Sequence, residues 1–311
     1  MIRLAAHGLT ARIMSLGASL CDLRLADGDL PLVLGFADLD PYLDEGRDFG
    51  AIIGRCAGPI AGARARIGAL MRELDANDRG RHCRDGGRDG LSRRNWRIAG
   101  WKADTITLTD RLPAGHMGFP GNMDLRVSYT INRGPALHIV MVARTDAQTL
   151  CNLAAHHLLS LGCADSADLR VTVHADHVLP AGPDGIPTGD IRPVAGTGLD
   201  LRQPRNPGHL AAQDFCLRPG RSRLARPAAR VEGNGIALDL LTTEAGLRLD
   251  PRPAITPGAA GLGGRAYGPH SGILLRAQGW PDAIHQPGFA QSTLLPGTTY
   301  RQETILRFGR G

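Results

Sequence analysis

The sequence lacks the features that mark a nucleic-acid-binding protein. Aromatic residues make up only 4% of the chain, and 36 basic residues against 30 acidic ones leave a net charge of +6. Lys102 is the only lysine, and arginines mix with aspartates, as between positions 79 and 89, without forming a basic block. Nucleic-acid binding requires a basic patch, commonly with aromatic side chains for stacking. We therefore expect no nucleic-acid partner.

Long apolar runs and cysteine pairs are missing as well. No segment approaches the ~18 apolar residues of a membrane helix, and the start, M-I-R-L-A-A-H-G-L-T-A-R, is charged and polar where a signal peptide is apolar. The six cysteines form no C-x-x-C pair and have no base positioned beside them in sequence. We expect a soluble, cytoplasmic protein without membrane contact, whose thiols are reduced and buried.

The prevailing pattern is alternation of apolar and polar residues between frequent turns. With 42% hydrophobic residues, 41 Gly and 21 Pro, the chain can bury a large core between many short segments. Alternation at every second residue predicts strands, and only Leu39 to Leu43 suggests a helical turn. We predict an all-β fold, a large antiparallel β-sandwich forming a single domain over residues 1–311. The predicted strands are two between Leu9 and Leu25 split at Gly17, a hairpin of Arg126–Asn132 and Leu137–Arg144, and Leu169–His174 and Gly235–Leu241.

One stretch, Gly272 to Phe289, combines a strand with polar side chains. In a strand, Arg276 and Gln278 share one face while Leu275 and Ala277 take the other. Two polar groups followed by Trp280 would suit a polar ligand that has a flat apolar side, such as a sugar. The alternative interpretation is an edge strand followed by a Pro-Gly turn.

The same stretch resembles a known family. Q-G-W-P-D-A-I-H-Q-P-G-F followed by L-L-P-G-T-T-Y is similar to the C-terminal signature of the aldose 1-epimerases, or galactose mutarotases. Further blocks resemble that family along nearly the whole chain: Val33–Leu43, Phe49–Arg55, Gly118–Asn122, Tyr129–Ile131 and Ile186–Arg202. The resemblance implies a galactose mutarotase-like β-sandwich that acts on a small carbohydrate.

The residues that the family uses for catalysis are mostly replaced here. The resemblance places the family's catalytic acid on His156, whereas Arg276 stands in place of the catalytic Glu and Asp85 in place of a substrate-binding His. The family's substrate-binding Arg and Asp become Pro59 and Ala212. We take His156, Asp85 and Arg276 as catalytic candidates. The substrate-binding candidates are Gln278, Trp280, Asp282, His82, Arg55 and Asp214.

Arg276 changes the chemistry that the resemblance implies. An arginine stays protonated, so it cannot act as the base, but it can bind a carboxylate, phosphate or sulfate. We therefore predict an anionic ligand; the alternative is that Arg276 pairs with Asp85 or Asp282 and fills the pocket. Asp85 near His156 could form a new acid–base pair for an isomerase, lyase or cyclisation reaction.

Three functions remain open from the sequence. The first is a repurposed epimerase-like enzyme with altered acid–base chemistry on a sugar-like substrate, either neutral or anionic. The second is an active aldose 1-epimerase with relocated groups, and the third is a non-catalytic sugar-binding protein. We expect no cofactor. We also expect no metal site, because His174 and His177 face opposite sides of a strand. Either a monomer or a homodimer is compatible with the sequence.

Overall fold

The computed structural model describes residues 1–26, 28–44, 46–208, 210–256 and 260–311, and nearly all of its regular structure is β-strand. The one α-helix is the turn α1 (Asp40–Leu43) among these residues, and short 3₁₀ turns include Ala61–Ala63, Leu91–Arg93 and Ala283–His285. The strands are β1 (Ile2–Ala6), β2 (Leu9–Ile13), β3 (Leu20–Leu25), β4 (Ile52–Ile53), β5 (Pro59–Ile60), β6 (Arg64–Ile67), β7 (Leu70–Glu73), β8 (Cys83–Arg84), β9 (Arg97–Trp101), β10 (Thr105–Leu112), β11 (Met123–Asn132), β12 (Ala136–Thr145), β13 (Thr149–Leu150), β14 (Ala154–Ala155), β15 (Leu158–Leu159), β16 (Arg170–Val173), β17 (His177–Leu179), β18 (Arg192–Pro193), β19 (Gln213–Cys216), β20 (Arg226–Gly233), β21 (Ile236–Thr242), β22 (Gly246–Asp250), β23 (Ile273–Gln278), β24 (Thr293–Leu294) and β25 (Tyr300–Arg310).

The predicted strands are confirmed. The hairpin of β11 and β12 shows why the alternation of apolar and polar residues was sufficient to predict them. Its register runs from Met123 opposite Thr145 to Asn132 opposite Ala136. Leu125, Val127 and Tyr129 are buried on β11, while the residues between them are more exposed. One face of the hairpin therefore enters the core and the other faces outward, as a period of two requires.

Two large antiparallel sheets dominate the architecture. One has eight strands in the order β16-β20-β21-β25-β12-β11-β10-β9, and the other has six in the order β15-β23-β22-β19-β17-β18. Neighbouring strands run antiparallel in both sheets. The predicted all-β antiparallel sandwich is thus confirmed.

The core lies between the inner faces of these sheets. Val127 and Leu238 of the eight-stranded sheet belong to the same buried cluster as Phe215, Leu247 and Leu275 of the six-stranded sheet. Burying each such side chain contributes roughly 1.5–3 kcal/mol. Because strand residues alternate, the opposite face of the six-stranded sheet is free to carry polar groups.

β23 occupies an interior position in the six-stranded sheet, between β15 and β22. The alternative of an edge strand is therefore wrong. Within the described ranges, no helix combines the length and apolar character needed to cross a bilayer. All six cysteines are unpaired and buried, and burial raises the pKa of several, including Cys21 to about 11.

Candidate active site

A ladder of polar side chains crosses the outer face of the six-stranded sheet. Asp214 on β19 lies opposite Arg248 on β22, and Arg248 lies opposite Arg276 on β23. Neighbouring strands are ~4.8 Å apart, so these side chains project side by side. Leu275 and Ala277 enter the core, as the alternation predicted for this strand.

Arg276 belongs to a continuous chain of polar contacts. Its Nε donates to Gln278 Oε1 at 2.8 Å, and Gln278 Nε2 donates to Asp214 Oδ1 at 3.0 Å. Arg248 Nη1 donates to the other Asp214 oxygen at 2.7 Å. Arg276 Nη1 lies 3.2 Å from Asp85 Oδ1. Two guanidinium groups therefore face two carboxylates, and the network is balanced in charge.

Asp85 reaches Arg276 from a tight loop. Asp85 has a φ of 53° and the following Gly86 a φ of 90°, and a Cβ on Gly86 would lie 1.9 Å from the Gly54 carbonyl oxygen. Only glycine fits such a close approach. The Gly58 N–H donates to Asp85 Oδ1 at 2.7 Å. The loop therefore holds the carboxylate in place before any ligand binds.

The pKa of Asp85 lies below its usual value. Burial alone would raise it, but the Arg276 guanidinium and the Gly58 N–H both favour the ionised form and outweigh burial. Asp85 is therefore a carboxylate at neutral pH and can accept a proton.

His156 lies on the other side of the same guanidinium. Arg276 Nη1 is 3.4 Å from His156 Nδ1, and because arginine only donates, the ring proton belongs on Nε2. Burial and the positive charge of Arg276 lower the pKa of His156 to about 3. The imidazole is therefore neutral at pH 7, so it cannot serve as an imidazolium acid, although its Nε2–H can donate a hydrogen bond. His157 points the other way, against Leu240, Leu275 and Leu306 between the sheets.

His82 and Asp282 lie beside the turn at Ala61–Ala63. His82 Nδ1 accepts from the Gly62 N–H at 3.1 Å, and its Nε2 lies 3.6 Å from Asp184 Oδ2. Asp282 Oδ1 accepts from the Ala61 N–H at 2.9 Å and lies 2.7 Å from His285 Nδ1. Asp282 is therefore not the partner of Arg276, and both residues brace the turn.

Arg55 and Trp280 belong to the framework. Arg55 is 1% exposed and donates to the carbonyls of Pro113, Pro120 and Gly121 and to Thr149 Oγ1. Trp280 is 5% exposed, with its Nε1 bonded to the Ala245 carbonyl and its ring edge-on to Phe289 at 5.1 Å. Neither side chain is presented to a ligand, so we exclude both from the binding surface and the expected aromatic floor for a sugar is not formed by Trp280.

Sequence reasoning alone misses two members of this region, Arg248 and Asp48. The alternation in G-L-R-L-D predicts that Arg248 leaves the core, but only the strand register places it beside Arg276. Asp48 precedes the F-G-A block and lies near enough to Asp85 and Arg276 to interact with their charges. Among the described residues, no cluster of three His, Cys, Asp or Glu side chains could hold a metal ion.

Comparison with known proteins places this geometry in a family. The family model described as Aldose 1-epimerase matches residues 1–307. Galactose mutarotase of Mus musculus is 32% identical over 320 residues, covering 98% of this chain and 93% of the relative. The Homo sapiens galactose mutarotase is 31% identical, covering 96% and 91%. Aldose 1-epimerase of Escherichia coli K12 is 27% identical, covering 97% and 92%.

Solved structures agree with the sequence comparison. A GalM/aldose epimerase homologue from C. elegans superposes with a TM-score of 0.90 at 25% identity, covering 99% of this chain and 98% of the other. Galactose 1-epimerase from Lactobacillus acidophilus gives a TM-score of 0.85, also at 25% identity, covering 99% and 93%. Since the family model, the relatives and the fold agree along nearly the whole length, this chain belongs to the aldose 1-epimerase family.

Proposed function

We propose that this protein interconverts the anomers of a free sugar, with Asp85 as the proton acceptor. The observation that carries the proposal is the meeting of three groups: Arg276 Nη1 lies 3.2 Å from Asp85 and 3.4 Å from His156. In the family pattern the strand carries the acidic residue and the loop carries a histidine. Here the loop supplies the carboxylate and the strand supplies the cation, so a base remains within reach of the same place.

The chemistry follows from the protonation states. The Asp85 carboxylate takes the proton of the anomeric hydroxyl, the bond between C1 and the ring oxygen breaks, and the ring oxygen receives a proton. Rotation about the bond between C1 and C2, followed by ring closure, gives the other anomer. Arg276 and the His156 Nε2–H stabilise the charge that develops on the sugar oxygens by donating to them. A well-placed base contributes roughly 10²- to 10⁴-fold to the rate.

The remaining polar side chains suit hydroxyl groups. Gln278, Asp214 and Arg248 together offer donors and acceptors on the floor beside Arg276. Because Asp85 and Asp214 offset both guanidinium charges, a neutral sugar needs no added counter-charge. This balance favours an aldose over an acidic sugar.

An anionic, sugar-like substrate with altered acid–base chemistry is the second candidate. Arg276 Nη2 makes no hydrogen bond to any residue in the described part of the chain, so it could donate to a substrate carboxylate. Such a ligand would compete with Asp85 for the guanidinium. Binding of glucose and of glucuronate is compared for the natural protein and for Arg276→Glu. Only the candidate with an anionic substrate predicts that Arg276→Glu shifts the preference of the protein from glucuronate toward glucose.

The test is polarimetry of α-D-glucose and α-D-galactose. We expect turnover by the natural protein, a loss of about 10²-fold or more in Asp85→Asn, and a clear loss in His156→Ala. Asp89→Asn is the matched control, since Asp89 lies in the same loop and its half-exposed carboxylate contacts His116. A natural protein with no rate above buffer would contradict the proposal, and sugar binding without turnover would indicate a non-catalytic sugar-binding protein.

A further inference from the structure

A groove crosses the outer face of the eight-stranded sheet, on the opposite side of the sandwich from the polar ladder. Its volume is about 740 Å³, within the range of about 300–1,000 Å³ that small-molecule sites span. Leu125 and Val127 flank Arg126 on β11 and enter the core, so Arg126 points outward into the groove. Four neighbouring strands each contribute one arginine to the lining: Arg97 of β9, Arg111 of β10, Arg126 of β11 and Arg144 of β12.

The strand register brings these arginines together. Thr109 of β10 lies opposite the arginines of β9 and β11, and Asp124 of β11 lies opposite the arginines of β10 and β12. Because Thr109 and Arg111 are two residues apart, as are Asp124 and Arg126, all four arginines share one face. Consecutive arginines therefore occupy diagonal positions on neighbouring strands, roughly 7–8 Å apart. They form a zigzag row across four strands.

The groove holds too few carboxylates to balance this row. Of its two acidic side chains, Asp110 is already bound by Arg94, which donates to both of its oxygens. Asp124 Oδ1 is 3.6 Å from Arg111 Nε, which is too far for a hydrogen bond. Four guanidinium groups therefore share one weakly held carboxylate.

The other arginines of the row have few partners. Arg144 Nε donates to Thr299 Oγ1 at 3.1 Å, whereas the side chains of Arg97 and Arg126 make no hydrogen bond or ion pair within the described residues. A guanidinium group carries five N–H donors and stays charged at any biological pH. Most donors of the row are therefore open to a ligand.

The other end of the same sheet face shows that this protein does balance cross-strand charges elsewhere. Arg230 of β20 and Arg307 of β25 lie on either side of Asp239 of β21. Asp239 accepts from Arg230 at 2.8 Å and from Arg307 at 3.1 Å, and Glu232 accepts from Arg230 at 3.2 Å. Like charges on neighbouring strands oppose folding, and opposite charges favour it. An unbalanced row of four arginines is therefore a place where an anion would supply the missing charge.

We propose that this groove binds an oligophosphate, a linear chain of two or three phosphoryl groups. Guanidinium groups bind phosphate oxygens through paired, charge-assisted hydrogen bonds. The row extends over about 14 Å, because three spacings of about 4.8 Å separate β9 from β12, and a chain of phosphoryl groups places successive charges along it. The described residues that line the groove include no aromatic side chain, so the stacking surface used by single-stranded nucleic acid is missing.

The experiment is calorimetric titration of the natural protein with sodium tripolyphosphate. At about 0.15 M ionic strength the Debye length is about 8 Å, so charges far from the groove are screened. The test variant carries Arg97→Gln and Arg126→Gln, which are exposed and should leave Tm unchanged. We expect its Kd to rise by at least about 10-fold, because two sets of charge-assisted hydrogen bonds are lost.

The matched control carries Arg230→Gln and Arg307→Gln. It changes the net charge by the same amount on the same face of the same sheet, and we expect its Kd for tripolyphosphate to equal that of the natural protein. An equal loss in both double variants would mean attraction by the overall charge of +6, which would overturn the proposal. Absence of binding to the natural protein would overturn it as well.

Further ligands define the chemical class. Inorganic phosphate should bind at least about 10-fold more weakly than tripolyphosphate, because it contacts fewer guanidinium groups. Binding of ATP without binding of adenosine would support the proposal with a nucleotide as the source of the phosphate chain. Binding of tripolyphosphate without ATP would support it with a free oligophosphate. Hexaglutamate that binds as tightly as tripolyphosphate would indicate an acidic peptide as the occupant and would overturn the phosphate assignment.

Discussion

Two buried arginines, Arg55 and Arg276, have the same side chain and nearly the same burial but opposite surroundings. Arg55 donates to backbone carbonyls and one hydroxyl, which are neutral and fixed. Arg276 contacts a carboxylate, an amide and an imidazole. Arg55 therefore ties loops together, whereas Arg276 sets the protonation of its neighbours.

The difference shows why burial alone does not identify a functional arginine. Arg55 lies near the thiols of Cys56 and Cys151, but burial raises the pKa of both thiols and outweighs its charge. A guanidinium between Asp85 and His156 lowers the pKa of both groups. The chemical character of the partners, and not the exposed fraction, separates the two residues.

The largest effect on stability should come from Arg55→Met. Four hydrogen bonds are lost, and the Gly121 and Thr149 oxygens remain buried, so we expect the free energy of unfolding to fall by about 4 kcal/mol. Urea denaturation measures this change. At a temperature where the variant is folded, its KM should stay close to that of the natural protein. A raised KM without a loss of stability would indicate that Arg55 binds the substrate.

An exchange of charges tests Arg276 next. Arg276→Glu places a second carboxylate beside Asp85, which raises the pKa of one of the two, and we expect kcat/KM to fall about 10²-fold. Adding Asp85→His restores the family's residues at both positions and should recover at least part of the rate. If Arg276→Glu alone is faster than the natural protein in polarimetry, Asp85 is not the base.

The Arg276→Glu variant and the Arg55→Met variant also differ in their expected effect on the pKa of His156. Removing the guanidinium and adding a carboxylate should raise the pKa of His156 from about 3 toward its ordinary range. Titration of the ring protons by NMR measures this shift. Arg55→Met, in contrast, should leave the titration of His156 unchanged.

The smallest effect concerns His157, on the opposite side of the strand. Burial lowers its pKa to about 4, and its Nε2 is buried without a hydrogen bond in the described structure. The unfolded chain therefore binds a proton first, and stability is lost as the pH falls from about 6.5 toward about 4. His157→Leu should reduce the stability lost between pH 7 and pH 5 by about 2 kcal/mol. Urea denaturation at both pH values measures it, and the exposed His270→Leu should leave the loss unchanged.

Some properties of the site were accessible from the sequence because they depend on neighbouring residues. Alternation placed Arg276 and Gln278 on one face and Leu275 and Ala277 in the core, and it separated His156 from His157. The motifs indicated the family, and the comparisons confirmed it. The assignments of Arg55 and Trp280 to the ligand surface were less successful, because a motif position says nothing about which oxygen or ring a long side chain reaches.

By itself, the sequence determined the antiparallel sandwich, the family and the polar face of β23, since each follows from a repeat of two residues or from short contiguous motifs. Only the tertiary structure decided that Asp85, and not Asp282, pairs with Arg276 and that Arg248 stands beside it. These contacts join residues far apart in the chain. They depend on strand register and on loops whose approach is set by the packing of the whole core, which no local pattern encodes.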